Sequence, residues 1–421
     1  MVYPRLWHEQ AFGEYSERNE ERHPIAITFG MRRNFVASWQ FKLNVLTCKI
    51  NFQSMSVNAF KYLSPATIYV LAFLAFFSYG WLTWSPMIYA WIVLPLLELF
   101  LKADEKNMDA AEEELAKKDR LYDYMLYVFV ILQFVALFVF LQSMQGTRLV
   151  WWEIAGRIGS MGLLCGTFGI NIGHELGHRV NRFEQFLAKA SLSTSLYIHF
   201  FIEHNKGHHK NVATPEDPSS ARYNEPVYLF YFRTIIYSYL SAWKIANSEM
   251  RKLGLPVWFF KNEMLQAHLV QFSLISLIWI AFGTTITLYF LCAAAIGIGL
   301  LETVNYIEHY GLQREQRSDG KYERAMPHHS WNSNHVLGRM MLFELSRHSD
   351  HHYLASRKYQ VLSNHADAPQ LPTGYPGSMI LALVPPAWFY IMNKKIKLMQ
   401  QKSDATDGIT SGQEIIFKDL V

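Results

Sequence analysis

Histidines set four residues apart recur along this 421-residue chain, and on a helix that spacing puts two imidazoles on one face, within reach of one metal ion. The first pair is His174-Glu175-Leu176-Gly177-His178. A second cluster, Glu203-His204-Asn205-Lys206-Gly207-His208-His209, repeats the spacing and adds an adjacent ring able to turn toward a second metal. Asn305-Tyr306-Ile307-Glu308-His309 follows directly from an apolar stretch, and Arg347-His348-Ser349-Asp350-His351-His352 puts three rings on about one turn. Nine histidines are thus clustered: His174, His178, His204, His208, His209, His309, His348, His351 and His352.

Nine is more than one metal can use, since zinc takes about four ligands and a catalytic zinc about three from protein. Nine imidazoles suit two metals with four or five ligands each, leaving room for O₂ or water. Imidazole alone leaves iron, zinc, copper and nickel open. A ligating ring commonly donates its other N–H to a carboxylate, and Glu175, Glu203, Glu308 and Asp350 each stand beside a candidate ligand. No catalytic side chain is expected beyond the metal centre. The H-E-x-x-H match also fits an intramembrane zinc protease with Glu175 as base, but that reading leaves the other seven clustered histidines unused. His8 and His23 fall in a polar arm, His199 and His268 are single rings in apolar stretches, and His365 is isolated; all read as structural. His328, His329 and His335 form a looser set and are left out of the site.

These clusters need a scaffold, and the composition says of what kind. The chain is 51% hydrophobic and 15% aromatic, yet 18% charged, the mixture of membrane spans joined to wet segments. A net charge of +4 and no basic patch interleaved with aromatics argue against nucleic acid. Cys48, Cys165 and Cys292 form no C-x-x-C pair and so build neither a disulfide framework nor a cysteine metal site. Six apolar runs are long enough to cross a hydrocarbon core of about 30 Å: 65 to 84, 86 to 102, 121 to 143, 150 to 173, 265 to 282 and 284 to 304. Tight reversals at 84 to 86 and 283 to 284 make two helical hairpins. The fold class expected is therefore all-α, an integral membrane protein with about six transmembrane helices.

Lysine and arginine near span ends favour the cytoplasm. Lys61, Lys102, Lys106, Lys117, Lys118 and Arg120 flank the same ends as the histidine clusters, whereas the opposite loops hold only Arg148, so the di-metal site is expected to face the cytoplasm. The aromatic, amphipathic stretch 225 to 250 reads as an interfacial helix or helix pair, and 379 to 392, broken by Pro385-Pro386, as re-entrant or interfacial. Charges from 102 to 120 read as a solvated helix face. Residues 1 to 54 form a polar extension without a secretory signal, Met55 being an alternative start; 55 to 395 form the membrane domain and 396 to 421 a polar tail. Gly159, Gly162, Gly166, Gly169, Gly173 and Gly177 make a small-residue stripe ending beside the first histidine pair. Such stripes serve helix packing; Gly162, Gly166 and Gly169 are also candidates to line an apolar substrate channel.

Together, His174-Glu-Leu-Gly-His178, Glu203 to His209 continuing through Val212-Ala-Thr-Pro-Glu-Asp217, Asn305-Tyr-Ile-Glu-His-Tyr-Gly-Leu312 and Arg347 to His352 resemble the bacterial alkane 1-monooxygenases. The segments His329-Ser-Trp-Asn-Ser-Asn334 and Leu371-Pro-Thr-Gly-Tyr-Pro376 resemble them too, so the likeness covers Met55 to about residue 395. Histidine clusters alone are shared with membrane desaturases and related hydroxylases; the Asn305 to Leu312 stretch points to the alkane branch, with xylene-type methyl hydroxylases as near relatives and fatty acyl desaturases as a further alternative. The resemblance implies two iron ions held by the nine histidines and O₂ as oxidant. It also implies terminal hydroxylation of medium- to long-chain n-alkanes in the bacterial inner membrane. Electrons would come from rubredoxin and an NAD(P)H-dependent reductase. With no rubredoxin cysteines in the chain, that carrier is expected to be separate, drawn by Arg179, Arg182, Lys206 and Lys210.

Overall fold

The computed structural model describes residues 57–146 and 148–418; the polar extension with His8 and His23, and the alternative start at Met55, lie outside the described residues. Among the described residues the chain is helical and has no strand, only two isolated bridges, Gln316 with Tyr322 and Asn332 with Gln370. In chain order the helices that matter here are α1 (Ala59–Phe77), α2 (Gly80–Phe100), α3 (Leu121–Ser143) and α4 (Trp151–Leu164). After a π-helical turn at Cys165–Ile170 come α5 (Asn171–Gly177), α6 (Arg182–Ser193), α7 (Val227–Lys252) and α8 (Glu263–His309). The last are α9 (His348–Tyr353), α10 (Tyr375–Ala382) and α11 (Pro385–Lys418).

Four helices, α1, α2, α3 and α8, are long and apolar enough to cross a membrane. The 47 residues of α8 are two expected spans in one, because Gly283 interrupts it with φ 79° and ψ 174°, a conformation open to glycine but not to residues with a Cβ. The two arms run in opposite directions: Glu263 pairs with Lys206 at 2.8 Å and His309 meets His348 at 3.1 Å, while Gly283 lies across a cleft from Gly146 and Leu149. The expected reversal there is present. The stretch 150 to 173 is helical as well, but Glu153, Arg157 and its glycines leave it less apolar than the four.

Each end of the bundle is fastened by polar groups. At the end away from the histidines, the Arg157 guanidinium donates to the carbonyls of Ser143 and Ser78 at 2.6 and 2.7 Å. Glu153 accepts from Gly80 N and Val150 N. These bonds close the C-termini of α1 and α3 onto the start of α4, where free carbonyls would otherwise be left in an apolar setting. At the histidine end, Tyr62 donates to Glu344 at 2.6 Å and Lys358 reaches Asp123 at 2.7 Å, so the long segment after α8 is tied back over α1 and α3.

The first reversal differs from expectation: it falls at Ser78 and Tyr79, both extended, and 84 to 86 lie inside α2. The stretch 225 to 250 is one helix, α7, with Leu229, Phe232, Ile236 and Leu240 exposed and Ser238, Ala242 and Ala246 buried. The stretch 379 to 392 is two helices, since Pro385 and Pro386 start α11, where a missing N–H costs nothing. Residues expected as a polar tail continue α11 to Lys418.

Glycine packing between α4 and α8 yields a paired prediction. A Cβ on Gly162 would stand 2.6 Å from Ile296, whereas one on Gly299 meets nothing within 4 Å. Gly162→Ala should therefore lose about 1–3 kcal/mol of stability through overpacking, and Gly299→Ala should be neutral or gain up to about 1 kcal/mol. Thermal unfolding of both variants in detergent checks this.

Candidate metal centre

All nine clustered histidines converge at one end of the bundle, and they divide into two groups. His174, His178, His204, His209 and His351 form one; His208, His309, His348 and His352 form the other. Within each group the ligand atoms lie within 4.8 Å of one another.

The elements explain the division. His174 and His178 close α5 and point together, as their four-residue spacing predicts. The second cluster does not behave as a simple helix. His204–His208 is a π-helical turn, and a π turn aligns residues five apart rather than four. His209 therefore meets His204, Nε2 to Nε2 at 3.0 Å, while His208 turns to His352 at 3.2 Å. The pair expected on one face, His204 and His208, is split between the two groups. On α9 the four-residue pair His348 and His352 serves one group and His351 the other, reaching His174 and His209 at 3.0 and 3.1 Å.

α9 is set by contacts on both sides. Arg347 donates to the carbonyls of Leu362 and Lys106 at 2.6 and 2.9 Å, and Ser349 N donates to Asn332 Oδ1 at 2.8 Å. Trp331, beside Asn332, is buried with its backbone N–H on Glu308 O at 2.8 Å, so the loop through Asn332 ties α9 to the end of α8. Phe343 and Glu344 adopt left-handed φ of 53° and 57°, a conformation that costs about 1–3 kcal/mol per residue. Glu344 is held there by Tyr62 and by Arg339 at 2.6 Å.

Electrostatics favours the neutral form of most of these rings. Burial, reinforced by neighbouring imidazoles, holds His204, His209, His348 and His352 well below the ordinary imidazole range, and burial brings His351 to about 3. Neutral rings with inward lone pairs are the form that ligates a cation. His208 differs: burial lowers it, but Asp217 outweighs burial and holds it raised. Its Nδ1 lies 2.9 Å from Asp217 Oδ2, an N–H donated to a carboxylate that makes Nε2, the nitrogen facing the group, the more basic ligand atom.

Asp217 is the buried partner of a clustered histidine that sequence reasoning passed over. It sits eight residues past His209 in a turn bounded by Pro215 and Pro218, and only its place within the Val212 to Asp217 motif marks it. The four predicted acids have varied partners. Glu308 stands 3.2 Å from His348 Nδ1 and accepts from Tyr375 at 2.8 Å. Glu175 instead accepts from Arg179 and from Tyr359 N at 2.6 and 3.2 Å, because the two histidines of α5 point inward and their intervening acid faces α3. Glu203 lies near Ser241. Asp350 accepts from Arg357, from Ser363 N and from His365 at 2.6 Å, so His365 is not isolated but braces the acid beside His351.

The looser set is separate from the centre: Glu323, His328 and His329 lie together, and His335 pairs with Ser333. Of the basic residues expected to attract a carrier, Arg179 is buried against Glu175 and Lys206 is taken by Glu249 and Glu263. Arg182 and Lys210 remain exposed.

An apolar cavity ends on His174, His204 and His348, with Trp91, Leu300, Val304 and Met379 among its walls. Of the three channel glycines only Gly166 lines it. Gly162 packs on Ile296, and Gly169 packs on Thr194 and Ser195; the π turn at Cys165–Ile170 rotates the stripe, so its glycines face different neighbours.

Comparison with known proteins agrees with this geometry. The fatty acid desaturase family model matches residues 155–379. An alkane 1-monooxygenase of Pseudomonas putida is 40% identical over 304 residues, 72% of this chain and 75% of that protein. Alkane 1-monooxygenase 1 of Pseudomonas aeruginosa is 40% identical over 316 residues, 72% and 80% of the two chains. The hydroxylase component of a Pseudomonas putida xylene/toluene monooxygenase is more distant, 27% identical over 242 residues. With helices that can cross a membrane, two convergent histidine groups and relatives of this closeness, the chain belongs to the alkane 1-monooxygenases, within the histidine-box family of fatty acid desaturases.

Proposed function

We propose that the two histidine groups hold two iron ions and that the chain hydroxylates the terminal methyl of medium- to long-chain n-alkanes with O₂. Rubredoxin, itself reduced by an NAD(P)H-dependent reductase, would deliver the electrons. The observation carrying this reading is the convergence of nine imidazoles in groups of five and four beside one apolar cavity. The donor set fits iron: imidazole suits it, and Nε2 atoms facing each other at 3.0 to 3.2 Å want a cation between them. When bound, the metals would supply O₂ activation and cleavage of the C–H bond.

The chain's own residues do the rest. Asp217 holds the proton on His208 Nδ1, and Glu308 stands 3.2 Å from His348 Nδ1. Asp350, braced by Arg357 and His365, sits beside His351. Gly166, Leu300 and Val304 keep the cavity dry and slim, so an alkane without a polar handle is positioned by shape alone. The zinc protease reading loses its base, since Glu175 is engaged by Arg179 and Tyr359. We read residues 55 to 395 as the hydroxylase domain, seated in the bacterial inner membrane. The histidine end would face the cytoplasm, as the basic residues at that end favour.

The direct test supplies membranes carrying the chain with rubredoxin, its reductase, a medium-chain alkane and ¹⁸O₂. Labelled 1-alkanol is expected, and none from His309→Ala; iron-loaded, reducible protein that makes no alkanol would refute the assignment. Asp217→Asn should weaken metal retention about 10- to 100-fold, measured as metal per chain after graded chelation. Val304→Phe should shorten the longest alkane accepted while metal content stays constant; each methylene excluded costs about 1–3 kcal/mol of discrimination, read from product profiles across chain lengths.

A further inference from the structure

His199 and His268, two rings that bind in neither histidine group, lie in one aromatic cluster with Tyr239 and Trp243. His268 Nδ1 is 2.6 Å from Met264 O. A carbonyl only accepts, so Nδ1 carries the proton and Nε2 bears a lone pair. The Tyr239 hydroxyl, 2.9 Å from Nε2, is then the donor. A phenol hydrogen-bonded to a neutral imidazole has an acceptor ready for its proton if the ring loses an electron. The resulting imidazolium would stay bonded to Met264 O.

The pair is linked in both directions. Outward, Trp243 stacks on His268 with centroids 5.4 Å apart and an interplanar angle of 30°. Inward, Tyr239 contacts His199 at 5.4 Å, and His199 contacts Tyr197 at 4.3 Å. Tyr197 stacks on Phe200 at 6.2 Å, and Phe200 on His204 at 4.6 Å. Phe200 also lines the apolar cavity. Aromatic rings thus run without a break from a metal-group imidazole to Trp243, which is only half-buried.

We propose that Tyr239, His268 and Trp243 form a redox relay that draws oxidising equivalents out of the centre when O₂ is activated with no alkane in the cavity; this rests on the metal and O₂ reading above. One electron leaves Tyr239 inward along the rings, reducing the oxidant by one equivalent, and the phenol proton moves to His268 Nε2. Trp243 then returns an electron to Tyr239, the proton goes back to the phenol oxygen, and a small one-electron reductant of the thiol or ascorbate class restores Trp243 at the surface. The relay spares the cavity wall and the ligand imidazoles, the groups nearest an unused oxidant.

The test turns over iron-loaded protein with O₂ and reductant but without alkane, freezes it rapidly and records electron paramagnetic resonance, with ring-deuterated tyrosine to identify the radical. Peptide mass spectrometry then scores oxidation of Phe200, Met379 and the ligand histidines. Expected is a tyrosyl signal that Tyr239→Phe removes, with several-fold more oxidation of those peptides, while iron content and the initial rate with alkane are unchanged. Trp243→Phe serves as second variant and should prolong the tyrosyl signal. Equal signals and equal oxidation in wild type and both variants would overturn the relay and leave the hydroxylase reading intact. Failure of the reduced, iron-loaded wild type to consume O₂ would instead sink the hydroxylase reading, and the relay with it.

Discussion

Nine ring nitrogens turned toward one another is the condition that the rest of the fold serves. Nε2 atoms meet in pairs at about 3 Å with no protein acceptor or donor between them, an arrangement a polypeptide would avoid if only hydrogen bonding were at stake. Desolvation disfavours charge on most of these rings, and Asp217 on the outer nitrogen of His208 fixes which side of that ring carries the proton. The polar fastenings at both ends of the bundle, Arg157 at one and Glu344 with Lys358 at the other, hold the helices at the spacing the convergence requires.

Three π-helical turns occur in the described chain, at Tyr89–Val93, Cys165–Ile170 and His204–His208, and all three border the cavity or the centre. A π turn contains one residue more than an α turn and rotates everything after it. At His204–His208 that rotation sends neighbouring imidazoles to different groups. At Cys165–Ile170 it carries the glycine stripe from one partner helix to another, leaving Gly166 with a face on the cavity. At Tyr89–Val93 it brings Ala90 and Trp91 to the opposite wall. One local device, used three times, converts straight helical repeats into a site.

This device also marks the limit of what the sequence discloses. The nine histidines were legible because ligand spacing is local, and the spans because hydropathy is summed over twenty residues. The reversal at Gly283 was legible from a glycine between two apolar runs. The pairing of His204 with His209 was not, since nothing in Asn205-Lys206-Gly207 distinguishes a π turn from an α turn. Asp217 and the role of Glu175 were hidden for another reason: each depends on a partner brought in by tertiary packing, His208 across a proline-bounded turn for the first, Arg179 and Tyr359 for the second. The stretch 150 to 173 is helical as its apolar run predicts, and Gly162, Gly169 and Gly173 pack closely on neighbouring side chains, as a small-residue stripe predicts.

The short helix His348–Tyr353 gives ligands to both groups, His351 to one and His348 and His352 to the other. During synthesis, therefore, neither group can be complete until the chain past residue 352 has left the ribosome, by which time the four long apolar helices of the described residues have already been made. On the metal reading proposed above, placement of those helices would come first and completion of the centre second.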